Sequence, residues 1–203
     1  MRPSPNLDSP KARQILAGAK AAFLELGYEG TSVDELARRA GVSKATLYSH
    51  FVDKEAVFRA FINAECQEQV KRMFAIEASD ETPAEVLLRI AGNYIECLVS
   101  PFAMDFFRLV VAECQRFSDI GRAFFDSGPD LAIRRLAQFL TAADARGELH
   151  VENPELAAQQ FTSLCKAELF YKRLLGVKSV ASPSEIHEAA KEAVATFLQA
   201  YGR

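Results

Sequence analysis

The chain has 203 residues, 49% hydrophobic and 25% charged, a length that favours one domain or one domain with a small module. Its 24 Lys and Arg against 27 Asp and Glu give a net charge of −3, which argues against a uniformly basic nucleic-acid-coating protein. Charged residues interrupt every apolar stretch well before the roughly twenty residues that span a bilayer, so we expect no membrane helix. Residues 1–10 hold three prolines and no apolar run, so we expect a disordered arm, no signal peptide and a cytoplasmic protein.

Charge is distributed unevenly along the chain. Residues 1–60 carry nine Lys/Arg and seven Asp/Glu, whereas residues 61–203 carry fifteen and twenty. A basic N-terminal part joined to an acidic remainder indicates a short nucleic-acid-binding module attached to a different body.

Hydrophobic periodicity predicts helices from the N-terminal end onward. Apolar positions recur at i, i+3/i+4 and i+7, and glycines and small polar residues stand where helices end and begin. The first four predicted helices are Lys11–Leu26 ended by Gly27, a second capped by Thr31 or Ser32 and ended at Ala40 by Gly41, a third from Lys44 to about His50 capped by Ser43, and a fourth capped by Asp53.

Prolines divide the rest of the chain into further helical segments, because proline favours the first turn of a helix and breaks its interior. The segments are about 83–99, 103–116, 119–145 with an interruption at Ser127-Gly128-Pro129, 154–175 and 183–201. No strand-like alternation of useful length occurs, so the predicted fold class is all-α.

The segment from Ser32 to His50 has the pattern of a helix-turn-helix. Gly41 tolerates a positive φ at the turn, and small or aliphatic residues let the two helices cross steeply. These packing residues are Leu36, Ala37, Val42, Ala45 and Leu47. The outward residues of the second helix are hydrogen-bond donors and one cation with almost no acidic neighbour, a composition suited to reading a major groove. They are Lys44, Thr46, Tyr48, Ser49 and His50.

An ordinary structural role is the alternative for several residues in and around this second helix. Lys44 is either a solvated surface lysine or a contact to guanine or phosphate, and Tyr48 either packs or contacts a phosphate or a thymine methyl group. His50 and Lys54 follow the end of the helix, where cations favour its dipole in any case. Thr31 either caps the preceding helix or also helps its N-terminus to face a phosphate.

Three strings at these spacings resemble the tetracycline-repressor (TetR) family. They are GYEGTSV at 27–33, LARRAGVSKATLYSHF at 36–51 and DKE at 53–55. The resemblance is dense over about residues 11–60. Beyond residue 60 it is looser and consists of FFDSGPD at 124–130, RGEL at 146–149 and NPELA at 153–157.

The resemblance implies an all-α transcriptional regulator, usually a repressor. It implies an N-terminal three-helix helix-turn-helix DNA-binding domain over 11–55 and a C-terminal helical ligand-binding and dimerisation domain over 56–203. A homodimer would bind a palindromic operator in double-stranded DNA, and a small-molecule effector would release it through the fourth helix. The last two long helices would form a four-helix bundle with their copies. The candidate DNA-binding residues are Thr31, Ser32, Ser43, Lys44, Ala45, Thr46, Tyr48, Ser49, His50 and Lys54.

An aromatic cluster is the candidate effector site. Six of the 15 phenylalanines fall between Phe102 and Phe125, and such a cluster is either plain core or a ligand pocket. Few polar groups accompany it, which favours an apolar or aromatic effector. The candidate ligand-binding residues are Tyr94, Met104, Phe107, Cys114, Phe117 and Phe161.

Other classes of function have weaker support. His187-Glu188 begins like a zinc-protease helix without its second histidine, and His150-Val151-Glu152 resembles a deaminase motif without its PCxxC partner. We therefore expect no enzyme, metal or cofactor. A helical scaffold that lacks a ligand cavity stays an alternative. The spacing of the four cysteines favours buried, reduced thiols, with a redox-sensing thiol as the alternative.

Overall fold

The computed structural model describes residues 9–75 and 81–203, and within these ranges the chain forms ten α-helices and no β-strand. The helices are α1 (Pro10–Gly30), α2 (Val33–Ala40), α3 (Lys44–His50), α4 (Lys54–Met73), α5 (Pro83–Val99), α6 (Pro101–Cys114), α7 (Ser118–Ser127), α8 (Pro129–Ala145), α9 (Pro154–Leu174) and α10 (Pro183–Tyr201). The predicted all-α fold class is confirmed. Most of the arm expected over residues 1–10 lies outside the described residues.

Proline and small polar residues begin the helices as predicted. Prolines occupy the first position of α5, α6, α8, α9 and α10, where the missing N–H would have had no partner in any case. Capping boxes begin α5 and α10, in which the side chains of Thr82 and Ser182 accept hydrogen bonds from the backbone of Glu85 and Glu185. The interruption predicted near Gly128 is confirmed, since α7 ends and α8 begins there.

Two long helices contain a non-helical residue. In α1, Gly27 has φ 70° and ψ 176°. One further turn follows the predicted stop, and after it the Thr31 hydroxyl donates to the Gly27 carbonyl oxygen at 2.7 Å. In α9, Ala167 has φ 20° and ψ −140°. The continuous helix predicted over 154–175 did not include this bend, because alanine is the residue that most favours a helix.

The described residues pack into two compact units. Unit 1 contains the residues up to Cys66 together with Asp105–Ser127, and unit 2 contains Gln67–Met104 and Gly128–Arg203. This division differs from the predicted one, which assigned all residues after 55 to the second domain. Packing groups most of α6 and all of α7 with the N-terminal helices, and α4 contributes residues to both units.

Aromatic rings form the core of unit 1. The Phe23 ring meets that of Phe58 edge-on with centroids 4.8 Å apart, and Phe61 meets Phe106 of α6 at 5.4 Å. Each of these four rings is at most 2% exposed. Burying one such side chain contributes about 1.5–3 kcal/mol, which explains why a segment distant in sequence joins the N-terminal helices.

The core of unit 2 lies among α5, α8, α9 and α10. One ring contact in this core joins Phe161 of α9 to Phe197 of α10, with centroids 5.1 Å apart. Arg173 of α9 is 7% exposed, and its Nε donates to the Val99 carbonyl oxygen at the end of α5 at 3.0 Å. Residues from three helices are thus held together around one apolar interior.

The close approach of α1 and α2 depends on Gly18. A Cβ atom at this position would lie 2.5 Å from the Ala40 backbone nitrogen and 2.9 Å from the Ala40 Cβ. Both distances are far below van der Waals contact, and the first involves backbone that cannot rotate away. Only glycine fits here without moving α2.

We predict that Gly18→Ala lowers the free energy of unfolding of the N-terminal unit by about 1–3 kcal/mol, because the added methyl group overpacks the helix contact. Gly92 in α5 is the matched control, since a Cβ there meets nothing within 4 Å. Gly92→Ala should stabilise by about 0.5–1 kcal/mol. Urea denaturation followed by circular dichroism measures both changes. Equal effects of the two variants would show that the Ala40 contact is unimportant.

Candidate DNA-binding surface

A network of charged side chains holds α2 against α1. Arg39 forms ion pairs of 2.7 Å with Glu25 of α1 and 2.6 Å with Glu35 of α2, and its Nη1 also donates to the Ala21 carbonyl oxygen. Hydrogen bonds from Arg38 and Arg39 lower the pKa of the Glu35 carboxyl to about 2. This carboxylate therefore stays ionised throughout the physiological pH range.

The turn between α2 and α3 is shaped by Gly41, as the sequence predicts. Gly41 is left-handed, with φ 60° and ψ 38°, a conformation that glycine adopts without a steric cost. The Gln14 side chain of α1 donates to the Ala40 carbonyl oxygen at 2.6 Å. Ser43 then begins α3, because its Oγ accepts a hydrogen bond from the Thr46 backbone at 3.0 Å. The turn and the start of α3 are thus fixed relative to α1.

Helix α3 buries one side and exposes the other. Leu47 is fully buried, as predicted, together with Leu36 and Ala37 of α2. Ala45 is exposed, so the packing role predicted for it is wrong. Helical spacing places Ala45 one turn from Tyr48 and Ser49, on the outward side.

The exposed side of α3 presents several of the candidate residues together. Lys44, Tyr48 and Ser49 are exposed, and Tyr48 keeps 43% of its surface accessible. Thr46 and His50 are half-buried, and the Thr46 hydroxyl lies 2.8 Å from that of Ser43. The arrangement offers a row of hydrogen-bond donors of the kind that reads base edges.

An acidic residue faces the cation of α3, contrary to the expectation from the sequence. The Lys44 Nζ lies 2.6 Å from the Asp34 Oδ1 of α2, and this contact raises the pKa of Lys44. Ten residues separate the two in sequence, and only the crossing of α2 and α3 brings them together. The acidic first turn of α2 was visible in the sequence, but its proximity to Lys44 was not.

The candidates outside α3 are engaged within the protein. Thr31 is fully buried and its hydroxyl donates to the carbonyl oxygens of Gly27 and Ala22. The Ser32 Oγ caps α2 by accepting from the Glu35 backbone at 3.1 Å. The Lys54 Nζ donates to the Tyr28 carbonyl oxygen at 2.9 Å and lies 4.0 Å from the centre of the Tyr28 ring. Burial lowers the pKa of Lys54.

Besides the Phe61–Phe106 ring pair, three side-chain contacts attach residues 116–119 to α1 and α4. The Phe117 ring meets that of Tyr28 edge-on with centroids 4.9 Å apart. Arg116 forms an ion pair with Glu29, and the Arg59 Nη1 lies 3.7 Å from the Asp119 Oδ2. All three contacts lie within unit 1.

The six candidate ligand-binding residues do not fall in a single unit. Tyr94, Met104 and Phe161 are buried and belong to unit 2. Phe107, Cys114 and Phe117 are half-buried and belong to unit 1. Proximity in sequence grouped residues that packing assigns to two bodies. Two buried polar residues of unit 2, Gln69 and Thr162, were absent from the predicted set.

The four cysteines are free thiols, and burial makes two of them harder to ionise. Burial raises the pKa of Cys97 to about 11 and that of Cys165 to about 12. Both are therefore neutral at pH 7 and are weak nucleophiles. Across residues 9–75 and 81–203 no cluster of three or more His, Cys, Asp or Glu could hold a metal. In the same ranges no helix is both long and apolar enough to cross a membrane.

Comparison with known proteins identifies the family. The family model described as "Bacterial regulatory proteins, tetR family" matches residues 15–61. The model described as "AefR-like transcriptional repressor, C-terminal domain" matches residues 85–203. The chain belongs to the TetR family. It is a transcriptional regulator with a helix-turn-helix DNA-binding domain, and not an enzyme.

Similar proteins are known at the level of sequence and structure. The HTH-type transcriptional repressor Rv1474c of Mycobacterium tuberculosis is 30% identical over 125 residues, which are 60% of this chain and 60% of that repressor. The solved structure of the Flavonoid-responsive Regulator FrrA is 36% identical, with 95% of this chain and 97% of that chain covered and a TM-score of 0.81. A putative TetR-family regulator from Mesorhizobium loti MAFF303099 is 27% identical, with 97% and 100% covered and a TM-score of 0.86.

We predict that Asp34→Asn raises the affinity of this TetR-family protein for random-sequence duplex DNA by about threefold or more. Removing the carboxylate leaves the Lys44 ammonium unneutralised and adds about one phosphate interaction to the slope of log K against log salt. Fluorescence anisotropy with a labelled duplex at several salt concentrations measures both quantities.

The exposed Glu152 of unit 2 supplies the control for this prediction. Glu152→Gln changes the net charge by the same amount as Asp34→Asn, and we expect it to leave the slope unchanged. If both variants raise the affinity equally, the effect comes from net charge and not from the pairing with Lys44.

Proposed function

We propose that this regulator binds an operator with two half-sites as a homodimer, and that an uncharged aromatic ligand releases it. The observation that carries the DNA-binding part is the exposed side of α3, where Lys44, Ala45, Tyr48 and Ser49 lie together. A helix of 7 residues reaches only a few base pairs. Two copies related by a two-fold axis would read two half-sites roughly 34–36 Å apart, or somewhat more.

The outer surface of α9 and α10 supports the dimer. An open, mainly apolar groove of about 710 Å³ lies between these helices and includes Leu156, Leu164 and Phe197. Leu156 leaves 46% of its surface exposed. A second copy of the same pair of helices would cover this groove, because a two-fold axis brings identical surfaces together.

The relation to FrrA supports the choice of ligand class. FrrA is named as a flavonoid-responsive regulator, and flavonoids carry two aromatic rings. An effector acts only through its different affinities for the DNA-binding and released states. Reversing a 99:1 ratio of the DNA-binding and released states requires that the ligand favour the released state by about 5.5 kcal/mol. This free energy corresponds to about 110 Å² of buried apolar ligand surface at each of two sites.

The attachment of α6 and α7 to the N-terminal helices suggests a route for release. A ligand that shifts residues 105–127 would act on Tyr28 and Glu29 through Phe117 and Arg116. These contacts adjoin the start of α2, which carries α3. Movement of one recognition helix relative to its copy would then break the match to the half-site spacing.

We predict that Tyr48→Ala weakens binding to the operator by about tenfold or more and reduces discrimination against random DNA, because Tyr48 is the largest exposed side chain of α3. The operator is first obtained by selecting fragments from a random duplex library with the purified protein. Gln138→Ala, an exposed change in unit 2, serves as control. If no inverted repeat is selected, operator recognition by a dimer is refuted.

We predict that Leu156→Glu shifts the protein from dimer to monomer at micromolar concentration, because it would bury a charge in an apolar interface. Leu26 in unit 1 has a similar exposure of 40%, and Leu26→Glu should leave the mass unchanged. Light scattering coupled to size-exclusion chromatography measures both. A monomeric wild-type protein would contradict the dimer directly.

We predict that flavanone at micromolar concentrations lowers the affinity of the wild-type protein for its selected operator by at least tenfold. Anisotropy of the labelled operator measures the release, and calorimetry measures binding of flavanone to the protein alone. Binding without release would leave the ligand-controlled part of the proposal unsupported, and neither binding nor release would reject flavanone as an effector.

A further inference from the structure

An unsatisfied amide group lies in the interior of unit 2. Gln69 of α4 is 8% exposed, and its Oε1 accepts a hydrogen bond from the Cys97 Sγ of α5 at 3.3 Å. The Gln69 Nε2 is buried and has no hydrogen-bond partner in the described part of the chain. Rotating the amide by 180° would exchange the two atoms and leave the oxygen unpaired instead.

An unpaired buried amide is unfavourable, and folded proteins rarely keep one without a reason. An apolar side chain of similar size, such as leucine, would fill the same space without this cost. A buried donor without a partner within the chain is the feature expected of a group that meets a ligand.

The buried polar groups near Gln69 are uncharged, whereas the charged Arg72 and Glu96 near Cys97 are exposed. Cys97 carries a neutral thiol, and Tyr94 lies one turn before it on α5 with 6% exposure. The Tyr94 hydroxyl of α5 faces that of Thr162 on α9, and the Thr162 Oγ1 donates to the Gln159 carbonyl oxygen at 3.0 Å. Cys165 lies one turn further along α9 and is 2% exposed. These four side chains provide hydrogen bonds but no charge, and most of the residues packed around them are apolar. The half-buried Lys166 beside Cys165 is a cation whose pKa is lowered by burial.

The chemistry of this group selects the type of ligand. An ionised carboxylate or ammonium would have to leave water without meeting an opposite charge among these four side chains, which is strongly unfavourable. A neutral aromatic molecule with a carbonyl oxygen loses little on entering and satisfies the free N–H. Hydrogen-bond complementarity of this kind discriminates between ligands better than apolar contact alone.

We propose that the Gln69 Nε2 donates a hydrogen bond to the carbonyl oxygen of an uncharged aromatic effector bound in unit 2. This inference rests on the proposed function in assuming that an aromatic effector exists. It adds the anchoring residue, the unit in which the effector binds, and the functional group that the effector must carry.

The test compares two ligands and two variants. Flavanone and flavan share one ring skeleton, but flavan has a methylene group in place of the carbonyl. The variants are Gln69→Leu and, as control, Gln138→Leu at an exposed position of α8. Calorimetry gives the affinity of each ligand for wild type and both variants, and anisotropy gives operator affinity without ligand.

The expected results have a definite pattern. Gln69→Leu should weaken flavanone binding by about tenfold or more and leave flavan binding within about twofold. Wild type should bind flavan about as weakly as Gln69→Leu binds flavanone. Gln138→Leu should match wild type throughout. Operator affinity without ligand should stay within about threefold of wild type for both variants.

Two outcomes would overturn the inference. If flavanone releases the wild-type protein from DNA but binds Gln69→Leu equally tightly, the proposed function stands and Gln69 is not the anchor. If ligand-free Gln69→Leu has a clearly lower melting temperature than wild type, the amide is already satisfied inside the protein, for example by water. If wild type binds flavanone with the expected pattern but DNA is not released, the anchor stands and the proposed release fails.

Discussion

The contact between Gly18 of α1 and Ala40 of α2 determines where the recognition helix lies. Because Gly18 has no side chain, the two backbones approach closely, and the Gln14 amide can reach the Ala40 carbonyl oxygen at 2.6 Å. The Arg39 ion pairs with Glu25 and Glu35 then hold α2 in the same place. Since α3 follows α2 after a turn of a few residues, the position of α2 sets the orientation of α3.

Several cationic side chains around the recognition helix pair with groups of the protein itself. Arg39 pairs with two carboxylates, the Lys54 ammonium donates to the Tyr28 carbonyl oxygen, and Lys44 pairs with Asp34. The electrostatic attraction to any DNA sequence is therefore reduced. We infer that recognition relies on short-range contacts from side chains such as Tyr48, which favours sequence discrimination over general affinity.

Two neighbouring phenylalanines of α6 differ in burial within unit 1. Phe106 is 2% exposed and packs on Phe61 in the core of unit 1, whereas its neighbour Phe107 is half-buried and meets Phe124 at 5.9 Å. Adjacent residues of a helix point about 100° apart, so one can be core while the other lies at a margin. Residue composition alone could not distinguish the core phenylalanine from the partly exposed one.

The local sequence accounts for the helices, their caps and the helix-turn-helix, because helical periodicity, Gly41 and the Ser43 cap act within a few residues. It also indicated the family and the outward side of α3. Packing between helices brings Asp34 to Lys44, buries Thr31 and leaves the Gln69 Nε2 without a partner in the described part of the chain. Each of these depends on which helices meet, and helix packing is set by side chains that lie far apart in the chain.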